Sequence, residues 1–455
     1  MTTPHATPLT AMEQIDSRPM TRHQKSLLSL AIVGNIAEFF DMFLIGFVVS
    51  YLVKPWGLTG IQSGIILALA GLGTVIGAIG WGFLADRVGR RNAFKWCVIL
   101  FTGFTALSVF TPEGNWVMLA LLRVGVGIGV GGLNITSIPY VQEFVPARQR
   151  GLLAGLTSVF IPFGLFLGSM AQAWLGDIIG WRGLLALGAI PILLLLWLRT
   201  VPESPRFLQS VGRTDEARRS LAWALELPES ELGELPKVST TTSASFRLVF
   251  TTYLKSLIII TLGSFSFILG SSVIQSWGQT LLHEGYAFEK STVGYLFMAV
   301  SLVDLLGRLS SAWLADRIGR RWTMLSFGAV GSIGCFIAAY SAMAGASNGW
   351  LFFLGILIAM AFGDGAFGVL NAFGAEQFPN EARSTGLGLG YGIGSTAKIV
   401  GPALLGMIVG GDAIKQNVTL QAVPPAFILF GVLLIAGGVI YTFAKETKGK
   451  SLDSI

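Results

Sequence analysis

The chain has 455 residues, 53% of them hydrophobic and 12% charged, with a mean hydropathy of +0.68. A soluble domain carries roughly 25% charged residues, so this composition excludes one and requires much of the chain to lie in lipid. The net charge of +6 does not point to nucleic acid, because the basic residues are spread among short loops between apolar stretches, as membrane topology demands.

Residues 1–24 are polar and lack the apolar core and cleavage site of a signal peptide, so they read as a tail that precedes a retained first helix. Predicted spans follow at 27–52, 61–85, 93–111, 116–140, 151–175 and 182–200. A second set lies at 257–282, 290–314, 322–343, 350–374, 385–410 and 422–444. Each approaches the ~20 apolar residues that cross ~30 Å of hydrocarbon. The period-two alternation of a membrane β-barrel is missing. The expectation is an all-α integral membrane fold of twelve helices in two bundles, 25–200 and 251–445, joined by a polar linker at 201–250 and ending in a tail at 446–455.

Outer loops hold Lys54, Arg182, Lys290 and Lys415, and Arg123 and Lys398 fall within spans; the other basic residues lie in the tails and inner loops. By the positive-inside rule both termini are cytoplasmic, in a bacterial inner membrane. Within the linker, residues 215–225 suit a short amphipathic helix and residues 239–245 a flexible tether. Cys97 and Cys335 fall within separate spans and read as packing residues rather than a disulfide.

An internal repeat divides the chain. The segment Gly82–Arg91 (GFLADRVGRR) returns as Ala312–Arg321 (AWLADRIGRR), each copy after the second span of its half. Glu143, Pro146 and Arg150 after the fourth span return as Glu376, Pro379 and Arg383 after the tenth. Pro202–Leu208 (PESPRFL) is echoed more loosely by Lys445–Leu452 (KETKGKSL). Two homologous halves therefore run in parallel.

These motifs resemble the major facilitator superfamily across nearly the whole chain. PESPR at 202–206 and ETKGKSL at 446–452 resemble its sugar-porter-like branch, and Glu38–Gly46 (EFFDMFLIG) is similar to the first span of bacterial metabolite:proton symporters, including those for organic and aromatic acids. Sugar porters carry paired glutamines in span seven and an aromatic contact in span ten, where this chain reads SSVIQSW at 271–277 and FGDG at 362–365. The resemblance implies a transporter that works by alternating access, with spans one, four, seven and ten lining a central cavity.

An ionised side chain at mid-membrane costs roughly 2.5–3.5 kcal/mol on insertion scales, so it persists where it is paired, wet or useful. Glu38, Asp41, Arg123, Asp364 and Lys398 stand at such depth. Three acids against two bases leave one carboxyl free to carry a proton, and Asp41 is the preferred carrier, with Glu38, Arg123 and Asp364 as the rest of the coupling set. The structural alternative is that Asp41–Arg123 and Asp364–Lys398 are ion pairs. Arg123, Lys398, Gln275, Trp277, Asn371 and Phe40 are the candidate substrate contacts, and packing is the competing role for Trp277, Asn371 and Phe40. Asp304 and Arg308, four apart, read as a local pair outside the transport site.

Asp86, Arg87, Arg90, Glu143, Arg150 and Glu203, with twins Asp316, Arg317, Arg320, Glu376, Arg383 and Glu446, are expected to form two cytoplasmic charge networks that latch the halves in the outward-open state and break when the cytoplasmic side opens. Glycine rows at 71–77, 125–131 and 386–394 sit inside spans with no strand before them, so they serve helix approach rather than nucleotide binding. No metal-ligand spacing, catalytic triad or cofactor motif is visible, and no enzymatic activity is expected. The reading is a monomeric, proton-coupled importer of a small, anionic organic acid; a sugar symporter and a drug or metabolite exporter are the alternatives.

Overall fold

The computed structural model describes residues 10–146, 153, 159–235, 243–379 and 382–448, the side chains of Met12, Asn134, 243–246, Arg383 and Ser384 excepted. The first four spans are Arg22–Trp56, Gly60–Val88, Arg90–Val109 and Trp116–Gln142. The predicted fifth and sixth share one stretch, Ile161–Leu198, and the start expected at 151 lies partly outside the described residues. Gly180 interrupts that stretch with φ +63° and ψ −173°, a backbone that glycine adopts without strain. Gly164 before the break approaches Phe40, and Gly188 after it approaches Asp41. The chain therefore runs out to Gly180 and returns as a helical hairpin.

The second half repeats the plan with spans at Leu254–Gly285, Lys290–Ile318, Arg320–Met343, Ala346–Ala375, Thr385–Val409 and Gln416–Thr442. Both described ends of the chain lie on one face, here called the terminal face. The linker contributes the predicted helix, Thr214–Leu225, whose Leu221 and Leu225 pack with Ala11, Ile15 and Leu232. Trp223 stacks on His23 at the entrance to the first span. Cys97 and Cys335 are buried free thiols, as packing residues should be.

Apolar packing shows how the halves meet. Away from the terminal face one core joins them, with Phe43, Phe47 and Leu185 of the first half against Trp277, Phe297 and Phe430 of the second. Towards the terminal face the core splits. One cluster holds Leu30, Phe94 and Phe144 of the first half, and another holds Phe267, Phe373 and Tyr441 of the second. The Lys54–Glu284 ion pair (3.4 Å) and the Gln172-to-Lys290 carbonyl hydrogen bond (3.4 Å) close the opposite face across the two halves. Among the described residues the halves are joined at that face, and their apolar clusters are separate towards the terminal face.

Candidate functional site: two buried charge centres

In the first half, Asp41 and Arg123 meet beneath the shared core, with side chains 0% and 1% exposed and an Nη1–Oδ2 distance of 3.4 Å. The third span completes the group. Thr105 donates to Asp41 Oδ1 at 2.7 Å, and Arg123 Nη2 donates to Thr105 at 3.3 Å and to Ser108 at 3.0 Å. Arg123 Nε is buried without a hydrogen-bond acceptor. The sixth span closes the centre through Gly188, where a Cβ would stand 2.6 Å from Asp41 Oδ1 and 2.9 Å from Thr105 Cγ2. Glu38 is buried one turn nearer the terminal face.

In the second half the centre differs from the expectation. Asp364 does not pair with Lys398; its Oδ2 takes Arg308 Nη2, and Gln275 donates to its Oδ1 at 3.3 Å. Arg308 also binds Asp304, Nε to Oδ1, at 3.2 Å. The reading of Asp304 and Arg308 as a merely local pair is thus corrected, because Arg308 spans from the eighth helix to the tenth. The cause is close helix approach: a Cβ on Gly307 would collide with the Ala361 carbonyl. The tenth span is also widened into a π-helical stretch over Ala359–Asp364, which shifts the register of Asp364 on its helix.

Lys398 is half-buried, with Nζ 5.9 Å from the Phe39 ring centroid and no described carboxylate within ion-pair distance. Phe39 and Phe40 are partly buried against the shared core, and Asn371 is half-buried on the tenth span. Trp277 is fully enclosed and donates its indole N–H to the Pro402 carbonyl at 3.1 Å. Thr105, Ser108 and Gly188 were not singled out from the sequence. The first two lie three apart on the third span and so share a face, which was the available signal; a lone glycine carries none.

The repeated loops form twin networks at the terminal face. Arg90 binds Asp86 (2.6 Å) and approaches Glu143 (3.9 Å), while Arg320 binds Asp316 (2.8 Å) and Glu376 (3.4 Å). Gly89 and Gly319, at φ +95° and +98°, start the third and ninth spans. A carboxylate caps each start: Glu203 accepts the Arg91 N–H at 2.8 Å and the Asn92 N–H at 3.2 Å, and Glu446 accepts the Arg320 and Arg321 N–H groups, both at 3.1 Å. Ser204 and Thr447 hydrogen-bond Glu143 and Glu376. Arg87 and Arg317 are exposed, the latter over the Trp313 ring. Arg150 and the Arg383 side chain lie outside the described residues. Each described ion pair of these networks lies within one half, and the latch expected between the halves in the outward-open state is not among them.

A family model for sugar (and other) transporters matches residues 6–455. The chain belongs to that family, within the major facilitator superfamily. It is a multi-pass membrane transporter, and its family and relatives are transporters rather than enzymes. It is 29% identical over 453 residues to the niacin transporter NiaP of Acinetobacter baylyi, covering 98% of this chain and 99% of that one. It is 29% identical over 437 residues to the 4-hydroxybenzoate transporter PcaK of Pseudomonas putida, covering 92% and 94%. Among solved structures, the crystal structure of the D-xylose-proton symporter aligns with a TM-score of 0.75 at 23% identity, covering 94% of this chain and all of that one, which supports the twelve-helix fold.

Proposed function

We propose that this transporter is a proton-coupled symporter that takes up a small aromatic or related organic monocarboxylate through a bacterial inner membrane, with both termini cytoplasmic, as a monomer. The observation that carries the reading is the Asp41–Arg123 pair: a carboxylate and a guanidinium sealed from water, held by Thr105 and Ser108. Protonating Asp41 removes the charge–charge attraction of the pair and lets Arg123 part from it, so proton occupancy and helix position become one variable. Lys398, beside Phe39 and within reach of the Glu38 and Asp364 charges, suits the substrate's carboxylate when those acids take up a proton, and Phe39 and Phe40 suit its apolar ring. The names of the relatives, which include transporters of niacin, 4-hydroxybenzoate and gallate, support a ring-bearing acid. On this reading the charge networks of the repeated loops stiffen each half as the halves rock about the midplane. Each charge driven across 100 mV is worth about 2.3 kcal/mol for accumulation.

The test is uptake of radiolabelled nicotinate and 4-hydroxybenzoate into proteoliposomes, with and without an inward proton gradient. The parent protein concentrates at least one of them when the gradient is imposed. Asp41→Asn loses accumulation but keeps counterflow exchange. Gradient-driven concentration by Asp41→Asn at the parent's level removes Asp41 from coupling, and uptake of xylose in place of the acids favours the sugar reading.

A further inference from the structure

The second-half centre has a charge problem that the first-half centre does not. Asp304, Arg308 and Asp364 are 1%, 7% and 4% exposed, so all three have left bulk water. Arg308 is a permanent cation, because a guanidinium does not lose its proton in a protein. It meets two carboxyl groups through different nitrogens, Nε to Asp304 and Nη2 to Asp364. With both acids ionised this enclosed group would carry a net negative charge, a costly state in a site shielded from solvent.

Hydrogen bonding distinguishes the two acids. Asp364 receives Arg308 on one oxygen and Gln275 on the other. Among the described side chains, Asp304 receives Arg308 as its donor, and the same guanidinium holds Asp304 and Asp364 together through two of its nitrogens. Two ionised carboxylates on one enclosed guanidinium repel each other, and a proton on one of them removes that repulsion. Tyr391 and Lys398 on the eleventh span lie within electrostatic reach of Arg308 and Asp364, and Glu38 on the first span lies within reach of both of them.

We propose that Asp304 and Asp364 share one proton across Arg308, forming a second proton site that is separate from Asp41 and lies wholly in the C-terminal half. The proton resides on Asp304, the acid with fewer donors, while Gln275 and Arg308 occupy the two oxygens of Asp364. Release sends the proton towards the terminal side and leaves two carboxylates about one guanidinium, with Lys398 the next cation within reach. The proposal deepens the symport reading and relies on it only for the use made of the proton; the site itself requires no substrate.

Infrared spectroscopy of the purified full-length protein in lipid nanodiscs tests it without any ligand. At neutral pH the parent shows a protonated-carboxyl C=O stretch that shifts in deuterium oxide. Asp304→Asn removes a band equivalent to one carboxyl, and Asp41→Asn keeps it. Should Asp304→Asn fail to fold, Asp364→Asn serves, because removing either acid leaves a single carboxylate against Arg308 and abolishes the need for a proton. Absence of the band from the parent at neutral pH, or its persistence in both variants, overturns the proposal. Failure of the uptake test with the band still lost in Asp304→Asn would sink the symport reading and leave this site standing.

Discussion

In the N-terminal half one carboxylate meets one guanidinium, with Thr105 and Ser108 bound beside them; in the C-terminal half two carboxylates converge on one guanidinium, with Gln275 attached. At the terminal face the same halves carry matched networks, down to the glycine with positive φ and the glutamate that caps the next helix. The contrast separates two kinds of constraint. A helix start needs its free N–H groups satisfied in every conformation, so both copies solve that problem alike. A charge centre at mid-depth is free to differ between halves, because each can hold a different number of protons against its own guanidinium.

The sharpest way to break the comparison is Arg123→Leu. It leaves Asp41 enclosed with Thr105 as its partner, and removing one member of a buried pair costs about 3–5 kcal/mol. A clear fall in the thermal unfolding midpoint in detergent is expected. Asp41→Asn combined with Arg123→Leu should recover much of that stability, since no orphan charge remains, yet should not restore gradient-driven accumulation. A single Arg123→Leu variant as stable as the parent would mean that water reaches Asp41, and the centre would lose its sealed character.

Gly188→Ala probes the wall of the same centre with a smaller effect. The new methyl would crowd Asp41 Oδ1 at 2.6 Å and Thr105 Cγ2 at 2.9 Å, an overpacking that costs about 1–3 kcal/mol and moves the carboxylate off Arg123. Gly392→Ala is the control, because a Cβ there meets nothing within 4 Å; its effect should stay within about 0.5 kcal/mol. Equal thermal shifts for the two would show that Gly188 is ordinary helix packing.

Much of this architecture was legible in the residues. Span number, the repeat and the glutamates at 203 and 446 followed from hydropathy and duplication, because lipid imposes a strong one-dimensional signal and a repeated loop shows itself by recurrence. The buried ionisable residues Asp41, Arg123 and Asp364 were legible by their cost in lipid. Their pairing was not. Arg308 looked local because Asp304 lies one turn away, and its link to Asp364 depends on a close crossing at Gly307 and on the π-helical turn at Ala359–Asp364, neither of which leaves a periodic trace. Gly180 likewise looks like any membrane glycine until its φ shows the hairpin.

The smallest effect belongs to the matched networks, where pH reads the cap. Burial pushes Glu446 up, but the backbone N–H groups of Arg321, Arg320, Lys448 and Thr447 outweigh it and hold its carboxyl below the usual 4.5. A lowered folded value means that its stabilisation is complete above about pH 4.5, the unfolded value, and is lost as pH falls through the folded one. Glu446→Gln should therefore lower the unfolding midpoint at neutral pH and flatten its decline on acidification. A charge at a helix start is worth 0.3–1 kcal/mol, and solvent screening of this partly exposed group brings the expectation to about 0.3 kcal/mol. Because Glu203 caps the third span with the same pair of N–H bonds, Glu203→Gln should shift the midpoint by a similar amount. A difference of several-fold between the two would show that the halves have diverged at their loops as well as at their centres.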